Sequence, residues 1–162
     1  MMKIVDYTAE SLLVPALLAT DRAATYVELA ERLHQGGCIG EVGAFVRELR
    51  APDGVFHPNT DHSVVFAWAR GRFAYKTLFA LGKSADGVSF GPGSQCSVHL
   101  VFLIAAPTTK ACVDLLTVLA KLVYDHEPRA KLLSAKTSHE MLAVLAAQPQ
   151  PPAQVQLGLF QR

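Results

Sequence analysis

Residues 98–105 read Val-His-Leu-Val-Phe-Leu-Ile-Ala, an almost unbroken run of large apolar side chains. Successive side chains of a strand point to opposite faces, so a run without apolar–polar alternation is a strand buried on both sides. Such a strand needs other elements packed above and below its sheet. The run closes on Ala106-Pro107, and Pro107-Thr108 opens a long helical segment to about Asp125. Val113, Leu115, Leu116, Val118, Leu119, Leu122 and Val123 spread over more than one face of that helix, which predicts that it is largely buried.

The rest of the chain supplies the covering layers. Residues 1–19 form a short apolar lead-in, as a strand or an irregular segment. Thr20 or Asp21 can cap a helix, because a short side-chain oxygen accepts from the free amides of the first turn. Tyr26, Leu29, Ala30 and Leu33 follow at helical spacing, and Gly36-Gly37 offers a left-handed stop. A second helix fits about Glu41–Arg50, broken by Pro52-Asp53-Gly54. Residues 51–62 are rich in turn formers and read as a loop. Ser63–Ala69 and Thr77–Gly82 are short strand candidates, with turn signals at Asp86-Gly87 and Gly91-Pro92-Gly93. Pro128 suits the first turn of a helix running to Ala135. Thr137-Ser138-His139-Glu140 has capping-box spacing ahead of Met141–Leu145.

Helices on either side of clustered strands predict an α/β fold, a mixed central sheet flanked by helices on both faces. The expected division is one domain over residues 1–147 and a Pro/Gln-rich tail over 148–162, whose Leu157, Leu159 and Phe160 could dock. A length of 162 residues suits one self-sufficient core, and 51% apolar against 18% charged residues marks a globular chain.

Fifteen basic residues against 14 acidic ones give no electrostatic reason to expect nucleic acid or an anionic membrane as partner. Cys38, Cys96 and Cys112 are an odd number without a C-x-x-C pair, which suits reduced thiols in the cytoplasm. The acidic start MMKIVDYTAE does not resemble a signal peptide, and the apolar stretch 11–19 is much shorter than the ~20 residues of a membrane span.

Val98–Pro107 (VHLVFLIAAP) followed by a long helix resembles enzyme IIA of the fructose, mannitol and nitrogen-regulatory class of the phosphotransferase system. Ala130–Leu145 (AKLLSAKTSHEMLAVL) is similar to the closing helices of that family, and Arg47-Glu48 matches an Arg-Glu pair carried shortly before its active site. The resemblance spans roughly residues 15–147. It implies the fructose/mannitol-type enzyme IIA fold, no cofactor, and protein partners: an HPr-like phosphocarrier, or regulatory targets such as kinases or transporters.

The family's signature, Gly-Val-Ala-Phe-Pro-His-Ala-Arg, ends a strand on the histidine that takes the phosphoryl group. Two placements arise. Gly54-Val55-Phe56-His57-Pro58-Asn59 keeps the glycine and the proline and puts Asn59 at the histidine position. Ser63–Ser84 aligns without a gap, with Ala67 for Pro, Trp68 for His, and Ala69-Arg70 kept. The interval of 31 residues from Trp68 to His99 is close to the family's, whereas from Asn59 it is 40 and needs an insertion between packed strands. The Trp68 placement puts the extra length in the loop 51–62, where insertions are tolerated. A second family histidine, early in the following helix, falls on Cys112. Either placement leaves the acceptor position without histidine, while Arg47 and Arg70 remain as parts of an anion pocket.

Phosphoryl transfer to histidine needs a ring nitrogen with an available lone pair, and arginine's planar fork around the phosphate oxygens. The indole nitrogen is a donor only. Trp68 at the acceptor position would therefore block transfer there. The expected function is a regulatory interaction module on an enzyme IIA scaffold; the alternative is a working phosphocarrier whose acceptor has moved to His57, His62 or Cys112.

Other residues read more plainly. His57, Asp61 and His62 are ligand types, but their spacing matches no helical or strand face, and a polar loop is the simpler reading. Arg70, Arg72 and Lys76 interleave with Phe73 and Tyr75, as a solvated connector or a partner-docking surface. The glycines of 82–93 lack the strand–GxGxxG–helix context of nucleotide binding.

Overall fold

The computed structural model describes residues 3–49, 64–70, 74–89 and 97–147. Four strands form one sheet: β1 (Leu13–Val14), β2 (Val64–Arg70), β3 (Leu78–Ser89) and β4 (Ser97–Ala106), in the order β1-β3-β4-β2. β4 pairs parallel with β2 and antiparallel with β3, and β1 lies parallel to β3. Five helices cover the sheet: α1 (Arg22–Gln35), α2 (Val42–Arg47), α3 (Thr109–Tyr124), α4 (His126–Ser134) and α5 (Ser138–Ala146).

The apolar run is the central strand β4, and its side chains divide between two cores. Leu100, Phe102 and Ile104 meet α3, α4 and α5, together with Phe66, Phe79 and Leu81. Val101, Leu103 and Ala105 meet the layer of α1 and α2, together with Val65, Ala67 and Ala80. All six of these β4 residues are 0% exposed, which explains why the sequence shows no alternation. Phe102 stacks on Phe66 with ring centroids 5.0 Å apart and lies 6.0 Å from Phe79, tilted by 41°.

The helix boundaries follow from local chemistry. The Asp21 side chain accepts from Ala24 N at 2.9 Å, which caps α1. Cys38 N donates to Leu33 O and Gly37 N to His34 O, each at 3.0 Å, with Gly37 at φ +76°. That double closure turns the chain out of the helix and requires a residue that tolerates positive φ. Thr137 accepts from Glu140 N at 3.0 Å and starts α5.

Two buried cations close helix ends. Lys83 of β3 donates through Nζ to Leu133 O at 3.0 Å and to Ala135 O, satisfying the last carbonyls of α4. Arg129, 4% exposed, donates to Val123 O at 2.8 Å and Tyr124 O at 3.2 Å at the end of α3. Positive groups are favoured at these negative helix ends.

The lead-in is irregular and then a short strand, as expected: two 3-10 turns, Ile4–Tyr7 and Glu10–Leu12, followed by the two-residue β1. The structure departs from the sequence expectations in three places. α2 stops at Arg47 rather than Arg50. β3 continues through Asp86-Gly87 to Ser89, and the turn signal is absorbed as a register shift between Lys83 and Val88. Gly87 sits there at φ +90°, and its N–H is satisfied by Ser84 Oγ at 3.0 Å. α3 is less enclosed than predicted: Val113 is 51% exposed, and Leu116 and Val118 are only partly buried. Its inner face of Cys112, Leu115, Leu119, Leu122 and Val123 already fills the contact with the sheet.

Candidate functional site

β2 and β4 run parallel, so their C-terminal ends finish side by side. Trp68 lies opposite Ile104, and Arg70 opposite Ala106. The chain then passes from β4 through Pro107 into α3, where the Thr108 side chain accepts from Ala111 N at 3.2 Å. Carboxyl ends of parallel strands beside a helix N-terminus are where open α/β sheets collect anionic ligands.

Trp68 is half-buried and packs against the core cluster that contains Cys112, Ile104 and Ala106. Cys112 is in the first turns of α3 and is 2% exposed. Thus the two positions that the resemblance assigns to histidines lie on one face of the sheet, at one end of it. Arg47 stands apart from them in layer: it is the exposed last residue of α2, which packs against the opposite face. Arg70 closes β2, its backbone paired with Ala106. His57, Asn59, Asp61 and His62 lie outside the described residues, as do Arg72, Phe73 and Cys96.

His99 belongs to the other end of β4. Five positions separate it from Ile104, about 16 Å at the usual rise per strand residue. His34 was not singled out by the sequence, because nothing in its immediate neighbours distinguishes it. Topology brings it to the site's end of the molecule. Ile39 bridges Ala74, and Tyr75 N donates to Cys38 O at 2.8 Å, tying the exit of α1 to the chain between β2 and β3. The exposed His34 ring holds Nδ1 at 3.1 Å from Ile39 O. A carbonyl can only accept, so Nδ1 carries hydrogen and the neutral ring keeps its lone pair on Nε2.

Neither Cys38 nor Cys112 is part of a disulfide. Cys38 donates through Sγ to Lys76 O at 3.2 Å, and burial pushes its thiol pKa up. Among the described residues, no group of three or more His, Cys, Asp or Glu side chains is placed to hold a metal ion. No helix among them is long and apolar enough to cross a membrane.

The profile of the family described as "Phosphoenolpyruvate-dependent sugar phosphotransferase system, EIIA 2" matches residues 18–148. The chain belongs to this family. No curated relative matches it by sequence comparison. Solved structures match in fold. The mannitol-specific cryptic phosphotransferase enzyme IIA CmtB from Escherichia coli is 20% identical with a TM-score of 0.69, covering 91% of this chain and 100% of that one. The nitrogen regulatory protein IIA-Ntr from Neisseria meningitidis is 19% identical with a TM-score of 0.65, covering 88% and 98%. Enzyme IIA of the mannitol system from Escherichia coli, solved in complex with phosphorylated enzyme IIB, is 18% identical with a TM-score of 0.69, covering 86% and 97%. As an EIIA-type domain, the chain carries the mixed sheet with helices on both faces that the sequence predicts.

Proposed function

We propose that this EIIA-type chain is a regulatory interaction module that has given up histidine phosphotransfer. The observation that carries the reading is Trp68 at the end of β2, half-buried against the same cluster as Cys112 at the start of α3. An indole has no lone pair to offer a phosphoryl group, and its bulk occupies the space a phosphate would need. Of the two expected arginines, Arg70 at the end of β2 is the one at this end of the sheet left to hold an anionic or acidic partner surface, whereas the exposed Arg47 belongs to the layer on the opposite face.

One neighbour was solved with phosphorylated enzyme IIB, and another is a nitrogen regulatory protein. Protein partners therefore suit this chain: an HPr-like carrier, or regulatory targets such as kinases or transporters. A chain that cannot be phosphorylated would present such a partner with a permanently unmodified surface. Cys38 and Cys112, neither of them in a disulfide, suit the reducing cytoplasm of a bacterium.

The competing reading, an acceptor moved to Cys112, asks a side chain 2% exposed to meet a donor protein. One experiment separates the two. The full chain is incubated with a phosphorylated HPr-type donor, and the label is mapped by mass. No incorporation is expected. Acid-labile phosphohistidine, or label on His57, His62 or Cys112, would sink the proposal.

A further inference from the structure

The surface of α1 farthest from the sheet carries a shallow, wide-open apolar groove that the reaction centre does not use. Its floor is Ala23, Ala24 and Val27, its wall is Leu18, and its charged edge is Glu28 and Glu31. Leu18 is 89% exposed and Val27 41%. An exposed leucine on a fraying loop would mean little, but this one is braced. Leu18 N donates to both Glu28 carboxylate oxygens at 3.2 Å, and Ala19 N donates to Glu28 Oε1 at 2.9 Å. One residue earlier, Leu17 N donates to Lys83 O at 2.9 Å, and the Leu17 side chain packs onto Gly82 so closely that a Cβ there would lie 2.6 Å from Leu17 Cδ2. The chain thus spends three backbone N–H groups and a glycine to hold Leu18 outward. A braced backbone loses little freedom on binding, which favours the side chain it presents as an anchor in an interface.

Charge selects the occupant. The groove's charged residues, Glu28 and Glu31, are both acidic. Two copies joined through this face would bring these carboxylates together, and like charges in one interface are costly. A partner with the opposite sign is favoured instead. The small Ala23 and Ala24 let a second helix approach α1 closely, and Leu18 can pack between that helix's ridges.

We propose that the Leu18–α1 groove is a docking site for an amphipathic helix of a partner protein, bearing a leucine-type apolar stripe flanked by lysine or arginine. The site is remote from the phosphotransfer end. Lys83, beside Leu17, pairs with Leu100 near the start of β4, whereas Trp68 pairs with Ile104 near its end, on the far side of β4. The groove can therefore be occupied without covering the reaction centre.

The test uses the isotope-labelled full chain and two synthetic helical peptides with the same leucine stripe, one flanked by lysines and one by glutamates. Amide shifts are followed by NMR. The lysine peptide is expected to perturb Leu18, Ala19 and residues 23–31 and to bind at least tenfold more tightly than the glutamate peptide. Leu18→Asp should abolish those shifts, and Glu31→Lys, which leaves one carboxylate and one ammonium on the surface, should abolish the preference. Shifts confined to other surfaces, equal binding of both peptides, or no binding would overturn the proposal. So would a dimer in sedimentation that Leu18→Asp dissociates, which would make a second copy the occupant. Amide changes in the groove caused by Leu159→Asp in the tail would overturn it too, by making the tail the occupant.

Discussion

If Cys112 is part of the packed core, its reactivity is set by how often the fold opens, and that is measurable. The perturbation is Cys96→Ser, which leaves Cys38 and Cys112 as the remaining thiols. Cys112 is 2% exposed and belongs to the same core cluster as Leu115, Leu119, Phe102 and Ile104, all of them fully buried. A soluble thiol reagent can reach it only through an opening that separates α3 from the sheet. Openings of core elements cost a large part of the global stability, about 4 kcal/mol or more. Each 1.36 kcal/mol is tenfold in rate, so Cys112 should react at least about 10³-fold more slowly in the native chain than in denaturant. Cys38 is protected in the same way, and its raised pKa further reduces the thiolate fraction that reacts. The assay is release of a chromophoric thiol leaving group, with the modified residue identified by mass. A native Cys112 reacting within tenfold of its unfolded rate would refute the packing argument and restore this thiol as a candidate phosphoacceptor.

Three further outcomes follow from the packing. Phe102→Ala removes the ring stacked at 5.0 Å on Phe66, in a site with 0% exposure, and should cost about 3–5 kcal/mol in denaturant unfolding; a loss below 1 kcal/mol would contradict the double-faced core. Gly82→Ala places a Cβ 2.6 Å from Leu17 and should cost about 1–3 kcal/mol and loosen the Leu17–Leu18 brace, seen as faster amide exchange at Leu18. Burial lowers the Lys83 pKa below its ordinary 10.5, with Glu140 opposing and Lys136 adding. The unfolded chain then holds this proton more tightly, so wild-type stability relative to Lys83→Met should rise with pH between the folded pKa and 10.5 and stay flat below it. A fall across that window would show that the ammonium is better solvated folded than unfolded.

The fold was legible where one physical demand dominated. An uninterrupted apolar strand needs two covering layers, and residues 98–105 announced that without ambiguity. Asp21, Gly37 and Thr137 marked helix ends because each serves backbone groups within a few residues of itself. Asp86-Gly87 misled because the same dipeptide serves a turn or a bulge, and only the partner strand β4 decides between them. α3 misled in the opposite way: apolar residues on its flank predicted burial, but the sheet contacts one side only, leaving Val113 exposed. At the site, the resemblance named Trp68 and Cys112, and the topology puts them on one face. His34 and the Leu18 groove were not legible, since each depends on contacts between segments distant in sequence. The brace on Leu18 joins it to Glu28 and Leu17 to Lys83.

Trp68 is the chain's one tryptophan. Because it sits half-buried at the C-terminal end of β2, the tryptophan emission of the whole protein originates at that end of the sheet. A partner that covers this end of the sheet would move the indole from partial contact with water to exclusion from it, with a blue-shifted spectrum as the signal. A partner seated on α1 would leave the colour unchanged. A single indole placed at one end of the sheet is thus an optical label that tells the two ends of the molecule apart.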